Sequence, residues 1–350
     1  MISLLLGASA AFFVSVFLTP LMIRILRARG IGQQIRDDGP FEHPHATKAG
    51  TPTMGGLAII AGVVCGYLFA HIRTEQLKFA RTGVTLMLLV VGLGVVGFLD
   101  DWLGVRQRRN MGFRKRGKVA GQVAVAGGFA LLALRWVDVS THLSFTRSLD
   151  LDLGTWVWFA FAVFVVLSSA NAVNITDGLD GLAAGSAALV FAAFMIICFW
   201  QFRHPEVYGP QPNAAGANDL AVVAAAMAGG CAGFLWWNAA PARIFMGDTG
   251  SLAIGGALAG LALLTNTVLL LPILGGLYVI ETLSVIAQII SFRIFHFRVL
   301  RMAPLHHHFE VKGWPETTVI VRFWILAGVF VALGLGLFYA DFIRIPGVID

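Results

Sequence analysis

Residues 82–101 read TGVTLMLLVVGLGVVGFLDD: eighteen residues without a charge, closed abruptly by two aspartates. A bilayer core of about 30 Å is crossed by a helix of about 20 apolar residues, so this stretch reads as a membrane span ending in a polar boundary. The whole chain has the same character. Of 350 residues, 57% are hydrophobic and 13% are Asp, Glu, Lys or Arg. Soluble domains carry roughly 45–50% apolar and about 25% charged residues. With a mean hydropathy of +0.79 the chain has too little polar surface to face water all round. A soluble single-domain enzyme, a nucleic-acid-binding module and a disordered scaffold are excluded. The net charge of +6 and the pI of about 9.6 read as loops held against anionic lipid, with no nucleic-acid partner. Cys65, Cys198 and Cys231 all lie inside apolar runs and form no disulfide framework. The first apolar run has no basic residues before it and is too long for a signal-peptide core, so it reads as an uncleaved first helix.

Runs of sufficient length fall near 2–23, 54–71, 82–99, 119–137, 154–173, 182–202, 219–238, 251–269, 272–292 and 318–341. The eighth and ninth nearly touch and are divided at Pro272, because one helix over both would be twice as long as a bilayer is thick. The expectation is an all-α, polytopic membrane protein of about ten spans. Lys and Arg in the loops after odd-numbered spans number 17, against 7 on the opposite side. The positive-inside rule puts the richer side in the cytoplasm and both termini outside. No fixed-period repeat and no Pro- or Ser-rich linker divides the chain, so residues 1–350 read as one membrane-embedded domain.

Five polar clusters fall on that basic side, and the outer loops hold nothing comparable. They are Lys48 before GTPTMGG, the Asp100–Asp101 pair, NAVNITDGLDG (171–181), Asp248 in FMGDTGS, and His306–His308 in MAPLHHHFE. Each has a bland reading beside a chemical one. The acidic pair marks a helix end, yet acids there oppose the macrodipole and face an anionic leaflet, so a divalent cation or the basic run 106–118 must offset them. NAVNITDGLDG is a structural loop or a set of hard oxygen ligands; it lacks the alternating acids of a calcium loop. Asp248 is part of a helix cap or sits where backbone N–H groups meet a phosphate. The histidines form a solvated loop or serve as phosphate donors and proton carriers; zinc is disfavoured by their consecutive spacing. Glu281, deep in the ninth span, is a functional carboxylate or a partner for Arg322 or Gln288.

There is no P-loop, no dinucleotide-binding glycine pattern in a βαβ setting and no nucleophile elbow. Carboxylates around a divalent cation, with Lys, Arg and His nearby, describe phosphoryl transfer at a lipid boundary. A soluble diphosphate donor and a lipid phosphate acceptor suit such a place. The rival class is a secondary transporter or flippase, which would show paired repeats and polar residues at mid-membrane; a structural scaffold would need no such clusters.

The segments TKAGTPTMGG (47–56), FLDD (98–101), NAVNITDGLDG (171–181), IFMGDTGSL (244–252) and MAPLHHHFEVKGWPE (302–316) span most of the chain. With them the sequence resembles the phospho-N-acetylmuramoyl-pentapeptide-transferase family of the polyprenyl-phosphate N-acetylhexosamine-1-phosphate transferases. The related N-acetylglucosamine-1-phosphate transferases share the paired Asp and the GDTGS loop but differ in the histidine segment, and they stand as the alternative. The resemblance implies transfer of phospho-MurNAc-pentapeptide from UDP-MurNAc-pentapeptide to undecaprenyl phosphate, giving lipid I and UMP, with Mg2+ as cofactor. It implies a bacterial inner-membrane location and a homodimer. By the same resemblance Asp100, Asp101 and Asp248 are the catalytic and metal-binding acids, with Asp248 the foremost Mg2+ ligand. Lys48, Leu179, Asp180, Asn238 and Phe245 match the uridine pocket, and Thr53, Asn174 and Asp177 an adjoining polar groove. His306, His307 and His308 match a nucleotide-contacting motif, and Lys118 a basic residue near the diphosphate. WLGVRQRRN after the acids departs from the family pattern.

Overall fold

The computed structural model describes residues 1–32, 50–74, 77–106, 115–208 and 214–345. Among these, ten helices are long and apolar enough to cross a membrane. The order is α1 (Ile2–Ala28), α2 (Gly56–Arg73), α3 (Arg81–Arg106), α4 (Lys115–Leu132, continued by a π-turn to Val137), β1 (His142–Ser144), β2 (Ser148–Asp152), α5 (Gly154–Thr176) and α6 (Leu182–Arg203). A short α7 (Pro205–Tyr208) precedes α8 (Ala214–Asn238) and α9 (Gly247–Leu264). Then come α10 (Leu271–Leu274), α11 (Gly276–Phe295), α12 (Leu305–Val311) and α13 (Glu316–Phe342). The polytopic, essentially all-helical architecture expected from hydropathy is what forms.

The bundle is built around α9, nearly all of whose residues are buried. Its sequence, GDTGSLAIGGALAGLALL, is mostly Gly, Ala and Leu. In lipid, helix association gains nothing from burying apolar surface, so close backbone contact through small residues is what holds neighbours together. A Cβ on Gly255 would lie 2.4 Å from the Ser169 carbonyl oxygen of α5, so only glycine permits that approach. Helices α2, α3 and α5 surround α9, and α1, α6 and α8 pack outside them.

Where the sequence suggests one division at Pro272, the chain breaks twice. Helix α9 stops at Leu264, where Thr265 Oγ1 bonds back to the Leu261 carbonyl and Gln201 Nε2 donates to the Thr265 carbonyl. Pro272 sits in the first turn of α10, where its missing N–H is harmless; the second break is at Gly275. Beyond Glu281, α11 carries exposed Leu283, Ile286, Ile289, Ile290, Phe292 and Phe295, an apolar face directed away from the bundle.

Two other features were not anticipated. The connection after α4 forms an antiparallel hairpin, with His142 opposite Asp152 and Ser144 opposite Ser148. It clamps the end of α13 through Thr146 Oγ1 and Arg147 to Asp341, and it holds the linker after α9 through Leu269 N–H to the Ser144 carbonyl. At the same end of the bundle, Asp219 is wholly buried. It accepts from Tyr67 Oη at 2.9 Å and from the Ala80 N–H, and lies 3.0 Å from His71 Nε2. This knot ties α2, α3 and α8 together at the end where the sequence showed only sparse charge.

Replacing Gly255 with Val forces a branched side chain against α5. Overpacking of this kind costs about 1–3 kcal/mol. Thermal unfolding of the detergent-solubilised variant is expected to begin several degrees below wild type; an unchanged midpoint would contradict the packing described.

Candidate functional site

Because successive spans alternate in direction, the ends of α3, α5 and α8 meet the beginnings of α2, α4, α6 and α9. Four of the five polar clusters meet there. Lys48 lies outside the described residues.

The N-terminus of α9 is the centre of this meeting. Asp101 does not end α3, which runs on to Arg106, but projects from its last turns toward α9. Its Oδ1 accepts the Asp248 N–H at 3.1 Å, and its Oδ2 accepts the Thr249 N–H at 3.0 Å and Thr249 Oγ1 at 2.6 Å. The first N–H groups of a helix have no partners within it, and they carry partial positive charge, so a carboxylate is the natural acceptor. Close contact is enforced by glycine: a Cβ on Gly97 would fall 2.2 Å from the Asp248 carbonyl oxygen. The GTPTMGG segment closes the other side. Phe245 N–H donates to the Pro52 carbonyl, while the Gly55 and Gly56 N–H groups donate to the Phe245 and Met246 carbonyls. Thr53 thereby stands beside Gly247, whose φ of +72° is the left-handed turn that admits the chain into α9.

Asp248 faces outward from this turn. Its carboxylate is bonded to Lys118 Nζ and to Asn174 Nδ2, and Asn174 Nδ2 also reaches Ser251 Oγ at 2.8 Å. Lys118 Nζ lies 3.3 Å from Asp100 Oδ2. The ammonium thus bridges two carboxylates, and both acids and the lysine retain partial exposure. Asp177, after the end of α5, has its carboxyl pushed up to about 8 by enclosure and by the facing acids Asp248, Asp101 and Asp180. The pocket carries surplus negative charge that a cation would relieve.

A second group of residues lies alongside. Asp180 is buried; its Oδ2 accepts the Ala242 N–H at 2.8 Å, and its own N–H donates to Glu316 Oε1. Leu179 is buried beside it, and Phe245 is partly exposed. Asn238 Nδ2 donates to the Ile244 carbonyl, while its buried Oδ1 has no protein partner among the described residues. The three histidines separate in role. His306 is fully buried. His307 is partly exposed, with Nδ1 2.6 Å from Glu310 Oε2. His308 Nδ1 accepts the Arg301 N–H, and its pKa is held down by partial burial and by Lys312 and Arg301.

Among the described residues no three His, Cys, Asp or Glu side chains gather into a ready-made metal cluster. The donor chemistry nevertheless suits a hard divalent ion: Asp100 and Asp248 both present carboxylate oxygens to one cationic group, the Lys118 ammonium. Sequence reading missed Thr249, Ser251 and Glu316, which hold Asp101, Asn174 and Asp180 in place. Ser or Thr just inside a helix start was the available signal, and it was read only as a cap. Glu281 pairs with neither Arg322 nor Gln288. Arg322 lies over the Trp314 ring, and Gln288 accepts the Leu300 N–H.

The chain matches glycosyl transferase family 4 over residues 83–266 and the phospho-N-acetylmuramoyl-pentapeptide-transferase signature 1 over residues 48–60. The phospho-N-acetylmuramoyl-pentapeptide-transferase of Frankia alni is 50% identical over 349 residues, covering 97% of this chain and 98% of that protein. The proteins of the same name from Thermobifida fusca and Streptomyces coelicolor are 49% and 48% identical. They cover 97% and 96% of this chain, and 99% and 98% of their own lengths.

The acidic pair is expected to divide under mutation. Asp101→Asn removes acceptor capacity from three hydrogen bonds at the α9 N-terminus and is expected to destabilise the protein by about 1–3 kcal/mol. Asp100→Asn, which weakens a partly exposed contact to Lys118 and touches no backbone N–H of α9 in the bonds described, is expected to unfold within about 1 kcal/mol of wild type. Equal thermal midpoints for the two variants would contradict the assignment of Asp101 to the helix start.

Proposed function

The chain belongs to the phospho-N-acetylmuramoyl-pentapeptide-transferase family and is a multi-pass membrane phosphotransferase. We propose that its one active site, in a single membrane-embedded domain, is the pocket around the α9 N-terminus, open to the bacterial cytoplasm with both chain termini outside. The reaction is transfer of phospho-MurNAc-pentapeptide from UDP-MurNAc-pentapeptide to undecaprenyl phosphate, for peptidoglycan synthesis. The observation that carries the reading is the Asp100–Lys118–Asp248 cluster at a helix N-terminus, with a buried amide oxygen of Asn238 that has no partner among the described residues.

In this reading Phe245 stacks on uracil, with Leu179 and Asp180 forming the adjoining wall. Asn238 Oδ1, lacking a protein partner, accepts a hydrogen bond from the base. Lys118 binds the diphosphate, and Lys48 belongs with the residues that shape the uridine pocket. An oxygen of the acceptor phosphate attacks the β-phosphorus; the bond from that phosphorus to the bridging oxygen breaks, and the electron pair leaves on UMP. The acceptor phosphate is already anionic near neutral pH and needs no strong base. Direct attack is favoured over a covalent enzyme intermediate because Asp101 is engaged by three donors and Asp248 by Lys118 and Asn174. Mg2+, held by Asp248 with Asp100, would neutralise phosphate charge when bound. Asn174 orients Asp248 for that role, and Asp101 fixes the turn that presents it.

The purified protein, given undecaprenyl phosphate and Mg2+, is expected to release UMP from UDP-MurNAc-pentapeptide and not from UDP-N-acetylglucosamine; the reverse preference would discard the donor assignment. Asp248→Asn is expected to lower kcat by about a hundredfold or more while the fold persists. Phe245→Ala is expected to raise the KM for the donor more than it lowers kcat, and an unchanged KM removes Phe245 from the pocket.

A further inference from the structure

Glu281 lies in the interior of the bundle, outside the constellation just described. It is fixed on α11 one turn beyond Tyr278, whose hydroxyl meets Ser186 Oγ at 3.0 Å and the Ala183 carbonyl at 3.3 Å near the start of α6. His306 Nδ1 lies 3.1 Å from Glu281 Oε2, and both side chains are 0% exposed. The contact is one of proximity and not of hydrogen-bond geometry: neither carboxylate oxygen and neither ring nitrogen of His306 has a hydrogen-bond partner among the described residues. On its other edge the His306 ring lies against the 177–181 turn: a Cβ on Gly178 would fall 2.3 Å from His306 Nε2 and 3.2 Å from His307 Nε2. The His306 and His307 rings meet edge to face, 4.3 Å between centroids.

A buried acid–imidazole pair is a poor way to gain stability. Taking both groups out of water is costly, and apolar residues of similar size often do as well or better. What the carboxylate provides is direction. Standing 3.1 Å from Nδ1, it draws that edge of the ring toward α11 and leaves the Nε2 edge toward Gly178. His306 has no exposed surface and does not itself meet the substrate. Its neighbours do: the 177–181 turn carries Leu179 and Asp180, and His307 adjoins it.

We propose that Glu281 is a positioning residue for the donor nucleotide, acting through His306 on the 177–181 turn and on His307. The inference rests on the nucleotide-pocket reading of the preceding section. Glu281 sets the shape of the pocket without touching the reacting atoms, so its loss weakens donor binding and leaves the chemical step largely intact.

The test uses the full-length protein in lipid nanodiscs, with three readouts: donor Kd by calorimetry without acceptor lipid, KM and kcat from UMP release, and the thermal midpoint. The double variant E281L/H306L is expected to keep or exceed the wild-type midpoint. Its donor Kd and KM are expected to rise about tenfold or more, with kcat within about threefold. G178A, which pushes the His306 ring without altering Glu281, is expected to raise Kd and KM to a similar degree. E281Q keeps a polar side chain of the same shape beside Nδ1 and is expected to bind donor within about threefold of wild type. Wild-type donor affinity in G178A or in the double variant overturns the proposal. So does a double variant that loses midpoint and kcat together with KM unmoved, or an E281Q as impaired as the double variant. Wild-type turnover in the same assay reports separately on the pocket reading, so the two can fail independently.

Discussion

The carboxylate of Asp101, accepting the backbone N–H groups of Asp248 and Thr249, is the contact on which the arrangement of this site depends. It brings the end of one buried helix to the start of another and satisfies donors that neither lipid nor a neighbouring side chain would otherwise meet. With α9 held there, Asp248 has one direction in which to point, toward Lys118 and Asn174. The two adjacent acids of α3 therefore do different work. One organises the backbone, and the other shares the Lys118 ammonium with Asp248.

The bilayer explains why the two ends of the bundle differ. Every crossing must satisfy its own backbone and bury little charge, so most of the polar chemistry gathers at the ends, with the buried Glu281 standing apart from it. At one end glycines let α2, α3 and α9 approach closely enough for backbone groups of α9 to form part of the pocket. At the other, polar groups are used for fastening: Asp219 with Tyr67 and His71, and Asp341 with Arg147 and Thr146. The hairpin and the interrupted segment from Thr265 to Gly275 are braced against each other there.

Much of this was legible in the sequence because hydropathy and charge asymmetry are strong signals in membrane proteins. The spans, and the clustering of Asp100, Asp101, Asn174, Asp177, Asp248 and the histidines at a common end, follow from counting alone. Other features were hidden for definite reasons. Asp100 and Asp101 are chemically identical in the sequence, and only the rotation of α3 distinguishes them. The partner of Glu281 lies on a seven-residue helix that no periodicity announces, so Gln288 and Arg322 looked equally good. The hairpin strands are too short for alternation to register, although Leu149 and Leu151 between acids carry it. Asp219 stood at the edge of an apolar run, where an acid ordinarily reads as a helix boundary; its partners sit on α2, some 150 positions away.

In the proposed mechanism Asp248 presents a cation-binding carboxylate whose orientation Asp101 secures. Mn2+ titration by electron paramagnetic resonance on the nanodisc-embedded protein, with donor nucleotide present, tests this directly. A single saturable Mn2+ site per chain is expected, lost in Asp248→Asn and retained, with weakened affinity, in a folded Asp101→Asn. Undiminished Mn2+ binding in Asp248→Asn would contradict it.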